Sequence, residues 1–181
     1  MKTIDIYKRG AGSGWYQAIV DDEDFERASQ YTWYARVRRG KLHNVYRIDK
    51  GPPCMRCISM HHEITRVPSS QHMDHKNRNA GDNRKCNLRV CSPAENQCNH
   101  GPRADGCVKY KGVSYRKHAR KYSARIKLEG EELWLGYHDT AELAAIAYDE
   151  EAIKVHGDYA WLNRDHFPGL SDGGRGRDRY G

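Results

Sequence analysis

Residues 72 to 100, HMDHKNRNAGDNRKCNLRVCSPAENQCNH, crowd aspartate, histidine and asparagine side chains around one glycine and end in a helix-start signal. Asp74 and His75 are adjacent, and at a strand end such a pair can turn a carboxylate to a metal and an imidazole to a water. A returning strand and helix can bring Asn96 back toward Asp74. A carboxylate and an amide carbonyl form a hard oxygen set suited to Mg2+ or Mn2+, with positions left for water or phosphate oxygens. His75, with an ordinary pKa of about 6.5, is then placed as general base for phosphodiester hydrolysis. The competing reading is a hydrophilic turn whose Asn and Asp side chains cap their own backbone. A calcium loop starting at Asp74 fails, because Lys76, Arg78 and Lys85 fall where ligands belong.

Positioning these groups requires a strand, a loop, a second strand and a helix. HMDH reads as a strand end, KNRNAGDNRK as an Asn- and Gly-rich loop, and NLRV as the returning strand. Ser92, Pro93 and Glu95 then fit a capping box with proline at the first helical position. Before this unit, residues 1 to 53 read as a small α+β segment, with DDEDFERASQ as a turn of helix and YTWYARVRR as a strand. KGPPC breaks the pattern, and CISMHHEI resumes an extended one.

On these residues the stretch MDHKNRNAGDNRKCNLRVCSPAENQCN resembles the ββα-metal (His-Me finger) motif of HNH endonucleases, in particular the phage and intron-encoded homing branch. The resemblance implies His75 as general base, Asp74 and Asn96 as metal ligands, and Asn87 as the middle Asn that braces the loop and orients His75. Asp82, Asn83 and Arg84 match the loop-shaping DNR, with Arg84 as a phosphate contact. Members with His at the last metal position differ from this chain.

A second pattern follows the Gly- and Pro-containing segment 101–109. KGVSYRK, KYSARIKL and ELWLGYH read as strands, the last two joined through EGEE as a tight hairpin. Asp139 and Glu142 form a candidate capping box. Leu143, Ala144, Ala147, Tyr148, Ala152 and Val155 then recur at helical spacing until Gly157. Seven Lys and Arg residues lie between Lys111 and Leu128 with no acid until Glu129, interleaved with aromatics. A basic sheet face of this kind can enter the DNA major groove, whereas the competing reading is a solvated face backed by a helix.

Residues 110 to 163 are similar to the ethylene-response-factor (APETALA-two) type DNA-binding domain, a three-stranded antiparallel sheet packed on one helix. That similarity implies DNA contacts at Arg116, Lys117, Lys121, Tyr122, Arg125, Lys127 and Trp134. Arg125 stands where the plant proteins often have Glu, and Ser114 where they have Arg, so base preference does not carry over.

The 181 residues include 31 Lys and Arg against 24 Asp and Glu, a formal charge of +7, which favours an anionic partner such as double-stranded DNA. No apolar run approaches the ~18 residues of a membrane span, and the N-terminus lacks a signal peptide's apolar middle; an intracellular, cytoplasmic protein is expected. Its six cysteines are then expected to be reduced. Cys54 and Cys57 form a C-x-x-C knuckle that Cys86 and Cys91, or Cys98 or Cys107, would complete as a structural Zn2+ site, although the 86/91 spacing is wide for a second knuckle. His61 and His62 read as packing or DNA-contact residues. Lys8, Arg9, Arg36, Arg38, Arg39, Lys41 and Arg47 read either as an extended DNA footprint or as ordinary surface charge.

The expected whole is an α+β protein with an N-terminal segment (1–53), an HNH module (54–100), a linker (101–109), a DNA-binding domain (110–163) and a flexible tail (164–181). Its expected function is site-specific DNA cleavage by a monomeric HNH homing endonuclease with one divalent ion. The rival is a DNA-binding transcriptional regulator that keeps the HNH fold as a non-catalytic scaffold. Asp74, His75 and Asn96 occurring together weighs against the rival, on the ground that a scaffold needs none of them.

Overall fold

The computed structural model describes residues 1–10, 13–51, 55–102, 106–128 and 130–170. The chain divides into two compact units, Met1–Asn96 and Gln97–Gly181. It is a mixed α+β protein in which most strand pairs are antiparallel.

In the first unit, β1 (Lys2–Lys8) and β2 (Gly14–Val20) form an antiparallel pair from Lys2↔Val20 to Lys8↔Gly14. After α1 (Asp22–Ser29), β3 (Tyr34–Arg38) joins β1 in parallel at Tyr7↔Tyr34. With β4 (Lys41–Asp49) and β5 (Arg56–Ser59) the five-stranded order is β2-β1-β3-β4-β5. Alternation decides which face is dry. Ile4, Ile6, Ala18, Val20, Ala35 and Val45 are buried with Ala28 of α1, Trp33, and Met60 and Ile64 of α2 (Met60–Thr65). The Trp33 indole N–H donates to the Ala28 carbonyl at 2.8 Å, so this large side chain is buried with its polar atom satisfied.

The expected extended run CISMHHEI is therefore half wrong: it is a strand through Ser59 and a helix from Met60. Met60 and Ile64 are four residues apart and both fully buried, a helical spacing too short to stand out from sequence. Arg66, at φ 57, closes the helix with its N–H on the His62 carbonyl.

The opening stretch folds as an antiparallel hairpin of β6 (His72–His75) and β7 (Leu88–Cys91), in register from His72↔Cys91 to His75↔Leu88. A 3-10 turn, Lys85–Asn87, leads into β7, and α3 (Pro93–Cys98) follows it. Leu88 belongs to the same core as β1–β4, so residues on either side of the expected break at 53/54 share one hydrophobic interior. The loop is tied to the edge of β2 as well: Ile19 donates to the Gly81 carbonyl and accepts from the Asn83 N–H.

In the second unit, β8 (Val113–Arg116), β9 (Lys121–Leu128) and β10 (Glu131–His138) form an antiparallel sheet in the order β10-β9-β8. Helix α4 (Ala141–His156) packs on one face of it. Its N-cap is Thr140, whose hydroxyl accepts from the Leu143 N–H, rather than Asp139. Gly157 ends the helix as expected. The buried face is Ala144, Ala145, Tyr148, Asp149 and Ala152, while Leu143 is nearly half exposed. Asp149 is buried because the returning chain needs it: its carboxylate accepts from the backbone of Asn163 and Arg164 and from the Asn163 amide. Val108, of the expected linker, and Phe167 and Leu170, of the expected tail, also pack into this core. The rest of the expected tail, from residue 171, lies outside the described residues.

Candidate nucleic-acid interface

Register sorts the second sheet's residues between two faces. Val113 pairs with Ala124 and Tyr115 with Tyr122, and Ala124, Tyr122 and Val113 pack in the helix-side core. The opposite face carries the alternate positions: Arg116 against Lys121, Arg125 against Trp134, Lys127 against Glu132, and Ser123 against Tyr137. Four basic side chains thus share one face with Trp134 and Tyr137, which are 44% and 45% exposed. Tyr122, expected among the contacts, faces the helix instead, its ring 5.1 Å from that of Tyr115 and tilted at 56° to it. Lys117 lies in the turn between β8 and β9. Tyr137 was missed, because a register shift between Trp134 and Tyr137 puts both on one face against the expected alternation.

The face is held in place by its own contacts. The Arg125 guanidinium lies over the Trp134 ring at 5.3 Å and pairs with Glu132 at 2.9 Å. Lys121 pairs with Asp139 at 2.9 Å. Arg116 donates to the Ser123 hydroxyl, which in turn donates to the Ser114 carbonyl. Exposed pairs such as these contribute little stability, and an incoming phosphate can exchange with the carboxylate. Behind the sheet, Gly112 at φ 75 accepts from the Arg125 N–H and leaves no room for a Cβ, which would stand 2.1 Å from the Tyr148 ring.

In the first unit's hairpin, the expected catalytic groups have structural partners. Asp74, buried at the end of β6, accepts on Oδ2 from Arg89 Nε at 2.9 Å and Nη2 at 2.6 Å. Asp74 and Arg89 are cross-strand partners, which explains why both side chains reach one face. Asn87 knots the loop: its amide donates to the Asp82 carbonyl and to Asn77 Oδ1, and its own Oδ1 accepts from the Asn77 N–H. Asp82 takes Arg84 in a two-point pair at 2.8 and 2.7 Å, and that guanidinium holds the carboxyl below its ordinary range. Arg84, expected on a phosphate, is engaged with the loop.

His75 faces Asn83 Oδ1 at 3.3 Å and stands edge-on to His61 at 5.5 Å. Burial lowers its pKa, against the opposing pull of Asn83, Asp74 and Asp82. The expected capping box is present, with Ser92 N–H on Glu95 Oε2 at 2.7 Å and Glu95 N–H on Ser92 Oγ at 3.2 Å. Asn96 is partly buried on α3, its N–H donating to the Ser92 carbonyl.

Of the expected Mg2+ or Mn2+ ligands, Asp74 has its Oδ2 on the Arg89 guanidinium and Asn96 lies on the first turn of α3. For the expected zinc set, Cys54 lies outside the described residues, Cys57 and Cys86 are exposed, and Cys91 is buried. Among the described residues, no group of three or more His, Cys, Asp and Glu side chains could hold a metal ion. No helix among them is long and apolar enough to cross a membrane.

No protein-family model and no solved structure matches the chain. It is 41% identical over 56 residues to the ethylene-responsive transcription factor ERF024 of Arabidopsis thaliana, covering 30% of each chain. It is 41% identical over 73 residues to dehydration-responsive element-binding protein 2E of Oryza sativa subsp. japonica, 39% of this chain and 22% of that one. Dehydration-responsive element-binding protein 2D of Arabidopsis thaliana is 45% identical over 65 residues, 35% of this chain and 31% of that one. The chain spans less than two fifths of these relatives. Their names are those of transcription factors and element-binding proteins, and this overturns the expectation of an HNH-family endonuclease. One of the three residues behind that expectation also has a use in a scaffold: Asp74 pairs with Arg89 across the ladder. Some 30 to 39% of the chain is thus homologous to ethylene- and dehydration-responsive transcription factors.

Proposed function

We propose that the protein is a double-stranded-DNA-binding regulator whose second unit addresses the DNA and whose β6–β7–α3 unit is a non-catalytic scaffold of HNH outline. The observation that carries this reading is the sheet face opposite α4, where Arg116, Lys121, Arg125 and Lys127 lie around exposed Trp134. A twisted antiparallel sheet of this width can lie in the major groove, its cations on phosphates and its Arg and Trp side chains toward base edges. The relatives' names, element-binding protein among them, support the same reading.

Arg125 and Trp134 are the specificity pair of this proposal, because they sit directly opposite each other in the middle of the face. Arg116, Lys121 and Lys127 supply sequence-independent attraction. The protein acts as a monomer on this reading, one sheet to one site.

The test combines binding with a control for chemistry. Gel shifts on a pool of random duplexes should select a preferred site, and Arg125→Ala should weaken binding to it. On supercoiled DNA carrying that site with Mg2+, the protein should bind without nicking. Nicking by the wild type that His75→Ala abolishes would overturn the regulator reading, as would failure to select any duplex.

A further inference from the structure

The outer face of the first unit's sheet, opposite its core, carries four aromatic residues in a row. Trp15 pairs with Tyr7, Tyr7 with Tyr34, and Tyr34 with Tyr46, so the row crosses β2, β1, β3 and β4 at one level. Neighbouring strands lie about 4.8 Å apart, which places rings side by side. Tyr7 and Trp15 are 5.1 Å apart at 58°, and Tyr34 and Tyr46 are 5.9 Å apart at 41°.

Cations lie on and around this row. The Arg9 guanidinium is 5.2 Å from the centre of the Tyr34 ring, and that of Arg36 is 5.0 Å from Tyr46. Arg38 and Lys41 are exposed at the end of the β3–β4 hairpin. Asp5 is the carboxylate on the same side of β1, and its Oδ1 accepts from the Gln17 amide at 3.3 Å. Beside the row is a cavity of about 370 Å3 whose walls include Tyr7, Trp15, Tyr31 and Trp33.

Cross-strand aromatic pairs often serve only to stabilise a sheet. Burial separates the two roles. Trp15 is 72% exposed, so the largest ring of the row contributes little to the core. An aromatic row that is exposed at Trp15 and partly exposed at Tyr7, Tyr34 and Tyr46, with arginines on it, matches the chemistry of an unpaired nucleic-acid strand, whose bases stack on rings and whose phosphates take the guanidinium groups.

We propose that this face is a stacking platform for single-stranded DNA. Trp15, Tyr7, Tyr34 and Tyr46 lie under successive bases, and Arg9 and Arg36 move from the rings to phosphates as bases replace them. Arg38 and Lys41 extend the cationic track at the hairpin end. The cavity beside Tyr7 and Trp15 accepts a base turned out of the stack. The choice of DNA over other nucleic acids rests on the regulator reading, in which the second unit already binds duplex DNA.

The experiment is fluorescence anisotropy with the full chain and a labelled single-stranded thymidine oligomer, alongside the duplex selected above. Trp15→Ala and Tyr34→Ala should each weaken single-strand binding about tenfold, the scale of one lost base–aromatic stack. Trp15→Phe should recover most of that loss, and none of the three should alter duplex binding. Thermal melting checks that the variants are folded; Trp15 is exposed enough for its removal to leave the fold intact. Single-strand binding that is unchanged in Trp15→Ala, or lost equally in Arg125→Ala, would overturn the platform. Tighter binding of a uridine RNA oligomer would overturn the assignment to DNA. Duplex binding and single-strand binding are read separately, so either proposal can fail without the other.

Discussion

The Arg89 guanidinium lies 2.6 Å from the Asp74 carboxylate across the β6–β7 ladder, with the two side chains only 11% and 7% exposed. A charge pair this dry is stable only while both members are present, because removing either takes from a buried ion its cross-strand counter-charge. Arg89→Met should therefore destabilise the first unit by about 3–5 kcal/mol, whereas Asp74→Leu combined with Arg89→Met should recover much of the loss. Urea unfolding of the single and double variants measures this. Equal losses in both would remove the pair from the stabilising contacts.

The same pair sets an expectation for metals. With Arg89 neutralising Asp74, millimolar Mg2+ should leave the melting temperature where a chelator leaves it. An upward shift with Mg2+ that Asp74→Asn abolishes would return the carboxylate to metal binding.

His61 gives the first unit a pH dependence. It stands 4.5 Å from His62 and 5.5 Å from His75, ring to ring, and its Nδ1 is buried without a hydrogen-bond partner. Burial, with repulsion from His75 and His62, pushes its pKa down to about 3 from an ordinary 6.5. Below pH 6.5 the unfolded chain binds a proton that the folded chain refuses, so stability falls with pH until about 3, where the folded chain takes it up as well. The slope is about 1.4 kcal/mol per pH unit for each such proton. Between pH 6 and pH 5, where carboxylates add little, His61→Phe should lose stability less steeply than the wild type in urea titrations. Parallel slopes would mean that His61 is protonated in the folded state.

Much of this architecture was legible because it rests on local signals. The Ser92–Glu95 capping box, the Gly157 stop and the hairpin of β9 and β10 each depend on a few adjacent residues, and each is present. What was not legible depends on register or on distant partners. Tyr122 looks like a contact residue until its pairing with Tyr115 puts it on the helix side. Nothing near Asp74 in the chain signals that Arg89, fifteen residues on, meets its carboxylate. The row from Trp15 to Tyr46 draws one aromatic from each of four strands, and one of its links is a parallel pairing between β1 and β3 that no local pattern signals.

Among the second unit's described glycines, Gly112 has the least room for a side chain. It combines a positive φ with the absence of room for a Cβ, which would meet the Tyr148 ring at 2.1 Å and the Arg125 carbonyl at 2.6 Å. Gly112→Ala should cost at least about 2 kcal/mol, from overpacking together with backbone strain. Because the Gly112 carbonyl accepts from the Arg125 N–H, the variant should also bind duplex DNA less well than its folded fraction accounts for. Melting and gel shifts on the same samples separate the two effects; an unaltered melting temperature would mean that Tyr148 moves aside at no cost.

Salt dependence distinguishes the roles of cations on the second sheet. Lys127 is exposed, and as a phosphate contact it contributes charge without reading bases. Lys127→Ala should therefore reduce the slope of log K against log salt by about 1 and weaken preferred and random duplexes alike. Arg125, which lies over Trp134 at the centre of the face, should behave differently. Arg125→Ala should weaken the preferred duplex more than the random one, narrowing the ratio between them, because a bidentate contact to a base is worth about 1–3 kcal/mol of discrimination. Affinity measured at several salt concentrations on both duplexes decides between these outcomes. If Arg125→Ala lowers both affinities equally, Arg125 is a phosphate contact and specificity comes from elsewhere on the face.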